Sequence, residues 1–393
     1  MSPPSDDASG WQAPRGVPVS ILTGFLGAGK TTLLNRLIGD PWLSDAALII
    51  NEFGDVGIDH LLVESSGDGV MELSDGCLCC TVRGELVDTL ADLMDRMQTG
   101  KIRRFSRVVI ETTGLADPVP VMQSVIGHPA LGQSYRLEGL VTVVDAVNGL
   151  PTLDAHDEAR RQVAVADTLV VSKCGDNDPP AELTARLAAL NPLARRVVAE
   201  HGSLTAQSLF DSGAYDPDSK SMDVLRWLND GRQTGHSDHH SDAHHHDHAH
   251  GHHGAHSHDV NRHDDRIRAD TLVTAQAIAP EALAMFLDLL RSAHGPSLLR
   301  MKAIVRLADD PARPLVLHAV QSLMSEPVRL AGWPEGSDGK TRIVVITRDM
   351  PKGFVGELFA GFSGEPGIDR PDRAALAENP LAIPGAPAGR TGC

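Results

Sequence analysis

The sequence predicts an α/β protein: a domain built on a mostly parallel, doubly wound sheet, followed by a smaller α+β C-terminal domain. Three observations carry this. Short apolar, β-branched runs alternate with helical patterns from Val17 to about Glu200, the signature of βα units whose sheet is covered on both faces. A glycine-rich segment joins the first such run to a helical one. Beyond a histidine-rich stretch, the pattern changes to one amphipathic helix and four strands with short connections.

Residues 1–16, MSPPSDDASGWQAPRG, form a polar arm with no apolar period. Strands are expected at Val17–Thr23, Ala46–Asn51, Arg107–Glu111, Gly139–Asp145 and Asp167–Ser172, with RRVVAE as one more near Glu200. SLTAQSLFDSG and MDVLRWLND read as short helices that carry the first domain to residue 230. Residues 231–266 cannot pack a core and form a solvated linker. In the second domain, residues 267–350, TLVTAQAI reads as a strand and Pro280–Ser292 as a helix opened by proline. LLRMKAIVRL, PLVLHAVQSL and RIVVITR follow as strands. Residues 351–393, rich in Pro, Gly and Ala, are expected to fray as a flexible tail.

Composition narrows the function. The chain has 393 residues, enough for two domains, and 41% hydrophobic residues exclude a wholly disordered polymer. With 35 Lys and Arg against 52 Asp and Glu, the net charge of −17 disfavours nucleic acid phosphates and anionic membranes as partners. The N-terminus lacks a basic start and an apolar core, and no later run reaches the ~20 apolar residues of a membrane span, so a cytoplasmic location is expected. Five cysteines, three of them within Cys77–Cys80, suit reduced, metal-binding thiols better than a disulfide framework.

Gly24-Phe25-Leu26-Gly27-Ala28-Gly29-Lys30-Thr31 fits the phosphate-binding pattern G-x-x-x-x-G-K-[ST], between a predicted strand and the helical TTLLNRLI. This identifies the first domain as a P-loop NTPase domain. Gly24, Gly27, Ala28 and Gly29 let backbone amides point inward, Lys30 neutralises the β- and γ-phosphates, Thr31 is the Mg²⁺ ligand and Thr32 lies beside it at the helix start. Glu111, ending a predicted strand, is placed to reach Mg²⁺ directly or through water, and Gly114 of Glu111-Thr112-Thr113-Gly114 is placed to sense the γ-phosphate. Base reading falls to Ser172-Lys173-Cys174-Gly175-Asp176, where Asp comes one residue later than in the guanine-reading [NT]-K-x-D. Either the loop is re-phased so that Asp176 accepts from guanine, or base selectivity is relaxed.

Cys77-Leu78-Cys79-Cys80 supplies three soft thiolates suited to Zn²⁺ or Cu(I) and leaves one tetrahedral corner open for exchange. From His236 to His258 lie 12 histidines interleaved with Asp238, Asp242 and Asp247. His236, His239, His240, His244, His245, His246, His248 and His250 lead this tract, whose variable spacing offers many weak ligand sets for Zn²⁺, Ni²⁺ or Co²⁺.

Gly24–Thr31, Asn51-Glu52-Phe53-Gly54-Asp55-Val56-Gly57-Ile58-Asp59, Gly76–Cys80, Glu111–Pro118 and Val143-Val144-Asp145-Ala146 together resemble the CobW family of GTPases, and LLRMKAIVRL, Trp333-Pro334 and RIVVITRD resemble its C-terminal domain. The resemblance implies a GTP-dependent metallochaperone that holds zinc at the C-x-C-C thiolates and passes it to a client metalloprotein with GTP hydrolysis. Cobalt or iron as cargo, for cobalamin synthesis or nitrile hydratase activation, and a storage or sensing role are the alternatives. The NEFG segment is the implied switch, with Glu52 approaching nucleotide or metal. Glu52, Asp55 and Asp59 are all candidates to position the attacking water. A homodimer is a further arrangement compatible with this reading.

Overall fold

The computed structural model describes residues 16–50, 70–72, 82–200, 204–211, 266–325 and 327–363. The first domain runs β1 (Val17–Gly24), α1 (Lys30–Leu37), β2 (Ala46–Ile50), β3 (Val70–Glu72), α2 (Val82–Gln98), β4 (Arg107–Glu111), α3 (Val119–Gly127) and β5 (Tyr135–Asp145). It continues with α4 (Gly149–Ala155), α5 (Asp157–Val165), β6 (Thr168–Ser172), α6 (Ala181–Leu190), β7 (Arg195–Val198) and α7 (Ala206–Phe210). Seven strands lie in the order β3-β2-β4-β1-β5-β6-β7, and every pairing is parallel.

The strands are apolar nearly throughout because both faces are covered, as parallel sheets require. Successive residues go to opposite layers: Ile21, Val108 and Ile110 join one core, with Leu90 of α2 and Met122 of α3. Leu22, Val109 and Val143 join the other, with Leu33 and Leu34 of α1 and Phe210 of α7. Register lines up the strand ends. Leu22 pairs with Glu111, Gly24 with Val143 and Asp145 with Ser172, so four predicted site segments leave the sheet along one edge. Chain order reverses on either side of β1, and ligands of open α/β sheets bind outside the strand ends at such a point.

The second domain comprises β8 (Ile267–Thr274), α8 (Pro280–His294), β9 (Leu298–Val305), β10 (Leu315–Val320), β11 (Leu323–Met324), β12 (Val328–Arg329), β13 (Thr341–Arg348) and α9 (Phe354–Ser363). Its sheet has the order β11-β10-β9-β13-β8, with β12 also on β10, and is antiparallel. One face carries Met301, Ala303, Leu317, Ile343 and Val345 against α8 and α9. The alternate residues Ile304, Val316, Val344 and Ile346 belong to the first domain's core. The sheet is therefore a middle layer, and β9 is buried along its whole length.

Two differences from the sequence reading stand out. Residues 354–363, assigned there to the flexible tail, are helical, and Val355 and Phe359 are buried against α8, where Phe359 meets Phe286 edge-on at 5.5 Å. Gly356 and Gly361 lower intrinsic helix propensity, but the apolar i, i+4 pattern of Val355 and Phe359 outweighs them through burial. The second is β3, which joins the sheet edge beside β2. The arm, MDVLRWLND, the histidine linker and the end of the tail lie outside the described residues.

Candidate functional site

The glycine-rich loop turns between β1 and α1 in a shape that the sequence enforces residue by residue. Gly24 has φ +145°, and a Cβ there would lie 2.4 Å from the carbonyl oxygen of Val143. Gly29 caps α1 at φ +93° in the left-handed region. Gly27, at φ +71°, has no atom within 4 Å of the position a Cβ would take. The loop thus presents open space on one side and the N-terminus of an eight-residue helix behind it, an arrangement suited to an anion. Lys30 Nζ donates to the carbonyl of Gly24 at 3.0 Å.

Thr31 Oγ1 donates to Glu111 Oε1 at 2.6 Å across 80 residues of sequence. Glu111 is 1% exposed at the end of β4, so the pair expected to hold Mg²⁺ is assembled. Thr112 Oγ1 donates to Thr23 Oγ1 at 2.7 Å, and the buried Thr113 Oγ1 has no hydrogen-bond partner among the described residues. A buried hydroxyl left unmatched beside a carboxylate and an anion cradle fits a site that takes a metal–phosphate ligand. Gly114 lies hard against the loop: a Cβ on it would sit 2.6 Å from Leu26 N.

On the other flank, Ser172 Oγ donates to the carbonyl of Ala28 at 2.6 Å, tying the end of β6 to the loop. Lys173 adopts φ +61° and its Nζ donates to Asp145 Oδ2 at 2.7 Å. Burial raises the proton affinity of Asp145, but hydrogen bonds from Lys173, Asn148 and the Val147 N–H outweigh it and hold the carboxyl below its usual range. Asp176 lies exposed in the turn after Lys173. Burial, with the charges of Glu200, Asp178 and Asp145, pushes the Cys174 thiol up and keeps it protonated.

Lys30, Thr31, Thr32, Glu111, Gly114, Ser172, Lys173 and Asp176 are thereby gathered on one edge of the first sheet. Glu52, the C-x-C-C thiols Cys77, Cys79 and Cys80, and the histidines His236 to His250 lie outside the described residues. Among the described residues no group of three or more His, Cys, Asp or Glu is placed to hold a metal ion. Sequence reasoning missed Gln162, buried on α5, whose Nε2 donates to the carbonyls of Gly114 at 3.1 Å and Ala116 at 2.9 Å. Its one signal is a polar residue on the buried stripe between Ala159 and Val163. The Asp145–Lys173 contact was missed too, although each half lies in a motif that was read.

Residues 18–198 match the CobW/HypB/UreG nucleotide-binding domain, and residues 267–363 match the cobalamin synthesis protein CobW C-terminal domain. The chain is 38% identical over 199 residues to a protein of Escherichia coli named zinc chaperone YjiA, covering 51% of this chain and 62% of that one. It is 35% identical over 221 residues to zinc-regulated GTPase metalloprotein activator 1 of Schizosaccharomyces pombe, covering 54% of this chain and 52% of that one. The matched stretches thus span roughly half to three-fifths of these relatives. The crystal structure of the Zn(II)-bound YjiA GTPase superposes with a TM-score of 0.63 at 26% identity, covering 88% of this chain and 99% of that one. With its nucleotide-binding domain and its C-terminal domain both matched in order, the chain belongs to the CobW family.

Proposed function

We propose that the protein is a GTP-dependent zinc metallochaperone that hydrolyses GTP to GDP and phosphate and passes zinc to a client metalloprotein. The reading is carried by one conjunction: a phosphate cradle in which Thr31 meets Glu111, in a chain 38% identical over 199 residues to a named zinc chaperone. Inward amides of residues 24–31 and Lys30 take the β- and γ-phosphates. Thr31 holds Mg²⁺, with Glu111 reaching it directly or through water, and the ion neutralises charge on the phosphate oxygens. Asp176 accepts from guanine, while Ser172 and Lys173 fix the base-side loop against Ala28 and Asp145. Cys77, Cys79 and Cys80 hold the zinc, Glu52 acts from the neighbouring segment, and the histidine tract collects metal as a weak, multivalent arm.

Magnitudes constrain how zinc leaves. Coupling between two sites is worth about 1–3 kcal/mol, or roughly 5–150-fold in affinity. Release from a tight thiolate site requires many decades, each about 1.4 kcal/mol. GTP therefore loads or exposes the metal, and a docked client completes transfer by exchanging ligands.

Zinc content and zinc transfer to a metal-stripped acceptor protein test this, on material purified without a metal-affinity column. Zinc is present in crystals of the E. coli protein even with one glutamate and two cysteines replaced by alanine, so content alone does not identify the ligands. Replacing Cys77, Cys79 and Cys80 together by Ala is expected to abolish nucleotide-dependent transfer while GTP still binds. Transfer that survives would move the exchanging site to the histidine tract, and equal zinc release with and without acceptor during turnover would refute exchange.

A further inference from the structure

The loop after Glu111 is held from two sides, and only one belongs to the nucleotide cradle. On that side Gly114 packs on Leu26. On the other, α5 grips the loop three times: Gln162 Nε2 donates to Gly114 O and Ala116 O, and Arg161 Nη1 donates to Asp117 Oδ2 at 3.2 Å. The two carbonyl acceptors fix which end of the Gln162 amide faces the loop, since only the NH₂ end donates. Gln162 is 1% exposed, and its main-chain carbonyl accepts from Thr142 Oγ1 at 2.8 Å, which ties the residue to β5.

The ends of α5 are held by the second domain. At its C-terminus, Arg300 Nη1 donates to Val165 O at 2.8 Å. Arg300 also pairs with Asp167, two residues further on, as does Lys302 at 3.4 Å. Arg300, Lys302 and Asp167 have side chains no more than 3% exposed. At the N-terminus, Asp157 pairs with Arg266 at 3.0 Å and Arg348 at 3.7 Å. Three cations of the second domain and Arg266 just before it therefore set the position of a nine-residue helix whose middle holds the γ-phosphate-sensing loop. A packed element gripped at both ends moves as a unit, the kind of helix shift by which domains communicate.

We propose that α5 is the lever through which the C-terminal domain controls the nucleotide site, and that Gln162 is the positioning residue that transmits it. With the carbonyls of Gly114 and Ala116 turned toward α5, the planar trans peptides turn the N–H groups of Leu115 and Asp117 away from it, which readies the loop for the γ-phosphate. A partner that seats on the second domain and shifts β9 changes the preference for GTP over GDP. By linkage, GTP changes the affinity for that partner by the same factor.

This rests on the reading that the site takes GTP, and the test separates the two. Affinities for GTPγS and GDP with Mg²⁺ are measured on the full chain, with a thermal midpoint for each variant. Gln162→Ala and Gln162→Glu, which both remove the donors, are expected to lower the GTPγS-to-GDP affinity ratio about five-fold or more, whereas general damage would weaken both nucleotides alike. Arg300→Met is expected to shift the ratio in the same direction, and the double variant no further than the larger single one. Should Arg300→Met not fold, Asp157→Asn, whose side chain is 31% exposed, replaces it. An unchanged ratio in the Gln162 variants, or effects that multiply in the double variant, would overturn the lever. A wild-type chain that binds neither nucleotide would overturn the site reading and the lever with it.

Discussion

Gly24 and Gly27 belong to one motif, yet the structure gives them different tasks, and replacing each by alanine separates the two. At Gly24, φ is +145° and the new methyl would lie 2.4 Å from Val143 O. Val143 is the residue paired with Gly24 in the sheet, so the obstacle is a neighbouring strand and no side chain can swing aside. A backbone conformation reserved for glycine costs about 1–3 kcal/mol and overpacking a further 1–3, so Gly24→Ala is expected to lose about 2–6 kcal/mol of stability. At Gly27, φ is +71° and nothing lies within 4 Å, leaving only the left-handed penalty of about 1–2 kcal/mol. Urea unfolding measures both: at unchanged slope the Gly24→Ala midpoint should fall well below that of Gly27→Ala, by about 1 M for a slope of about 2–3 kcal/mol/M. GTP affinity should show the opposite sensitivity per unit of lost stability, because the left-handed turn at Gly27 shapes the exposed part of the loop that takes the phosphates. Equal urea midpoints would refute the claim that Gly24 is needed for packing β1 on β5.

Two further predictions concern the arm and the domain contact. Deleting residues 236–258 should lower the number of zinc ions bound per chain while GTP turnover stays at the wild-type rate; unchanged zinc stoichiometry in metal analysis would count against a collecting arm. Asp157 has its carboxyl held below the ordinary 3.8, first by the hydrogen bond from Arg160, with burial opposing and the charges of Arg160, Arg266 and Arg161 adding to the fall. A folded pKa below the unfolded one means that the native state binds fewer protons, so this contribution is full above about pH 4 and disappears as pH drops through the folded value. Urea midpoints of wild type should therefore decline below that pH more steeply than those of Asp157→Asn, and parallel acid limbs would show that the contact does not matter.

The parts of the site that were legible in the sequence are those written in contiguous residues. Gly24–Thr31 declares its own backbone, and Glu111 could be joined to Thr31 across 80 positions because both leave strands that any doubly wound sheet places side by side. Gln162 was not legible, since a polar residue on a helix usually faces water and nothing local marks its partner loop 48 residues earlier. The placement of the second sheet was hidden for a similar reason. Arg300, Lys302 and His318 alternate with apolar residues in their strands, a pattern that normally marks a face in water. Here that face is buried against the first domain, with Asp167 answering two of its charges. The helix at 354–363 was obscured by its glycines, because propensity is a local quantity and the burial that overrides it is not.

Burial of the second sheet between its own helices and the first domain has a consequence during synthesis. The chain emerges N-terminus first, and the first domain is complete long before Arg300, which lies 133 residues beyond its partner Asp167. At about 5–20 residues per second, the outer surface of α5 waits roughly 7–27 s for its cover. During that interval Asp157, already held by Arg160 of the same helix, and Asp167, whose Oδ2 accepts from the Leu140 N–H, still lack their second-domain cations, and their charge keeps the uncovered surface hydrated and apart from neighbouring nascent chains. The same two carboxylates that later dock four cations thus guard the half-made protein against aggregation until the remaining strands arrive.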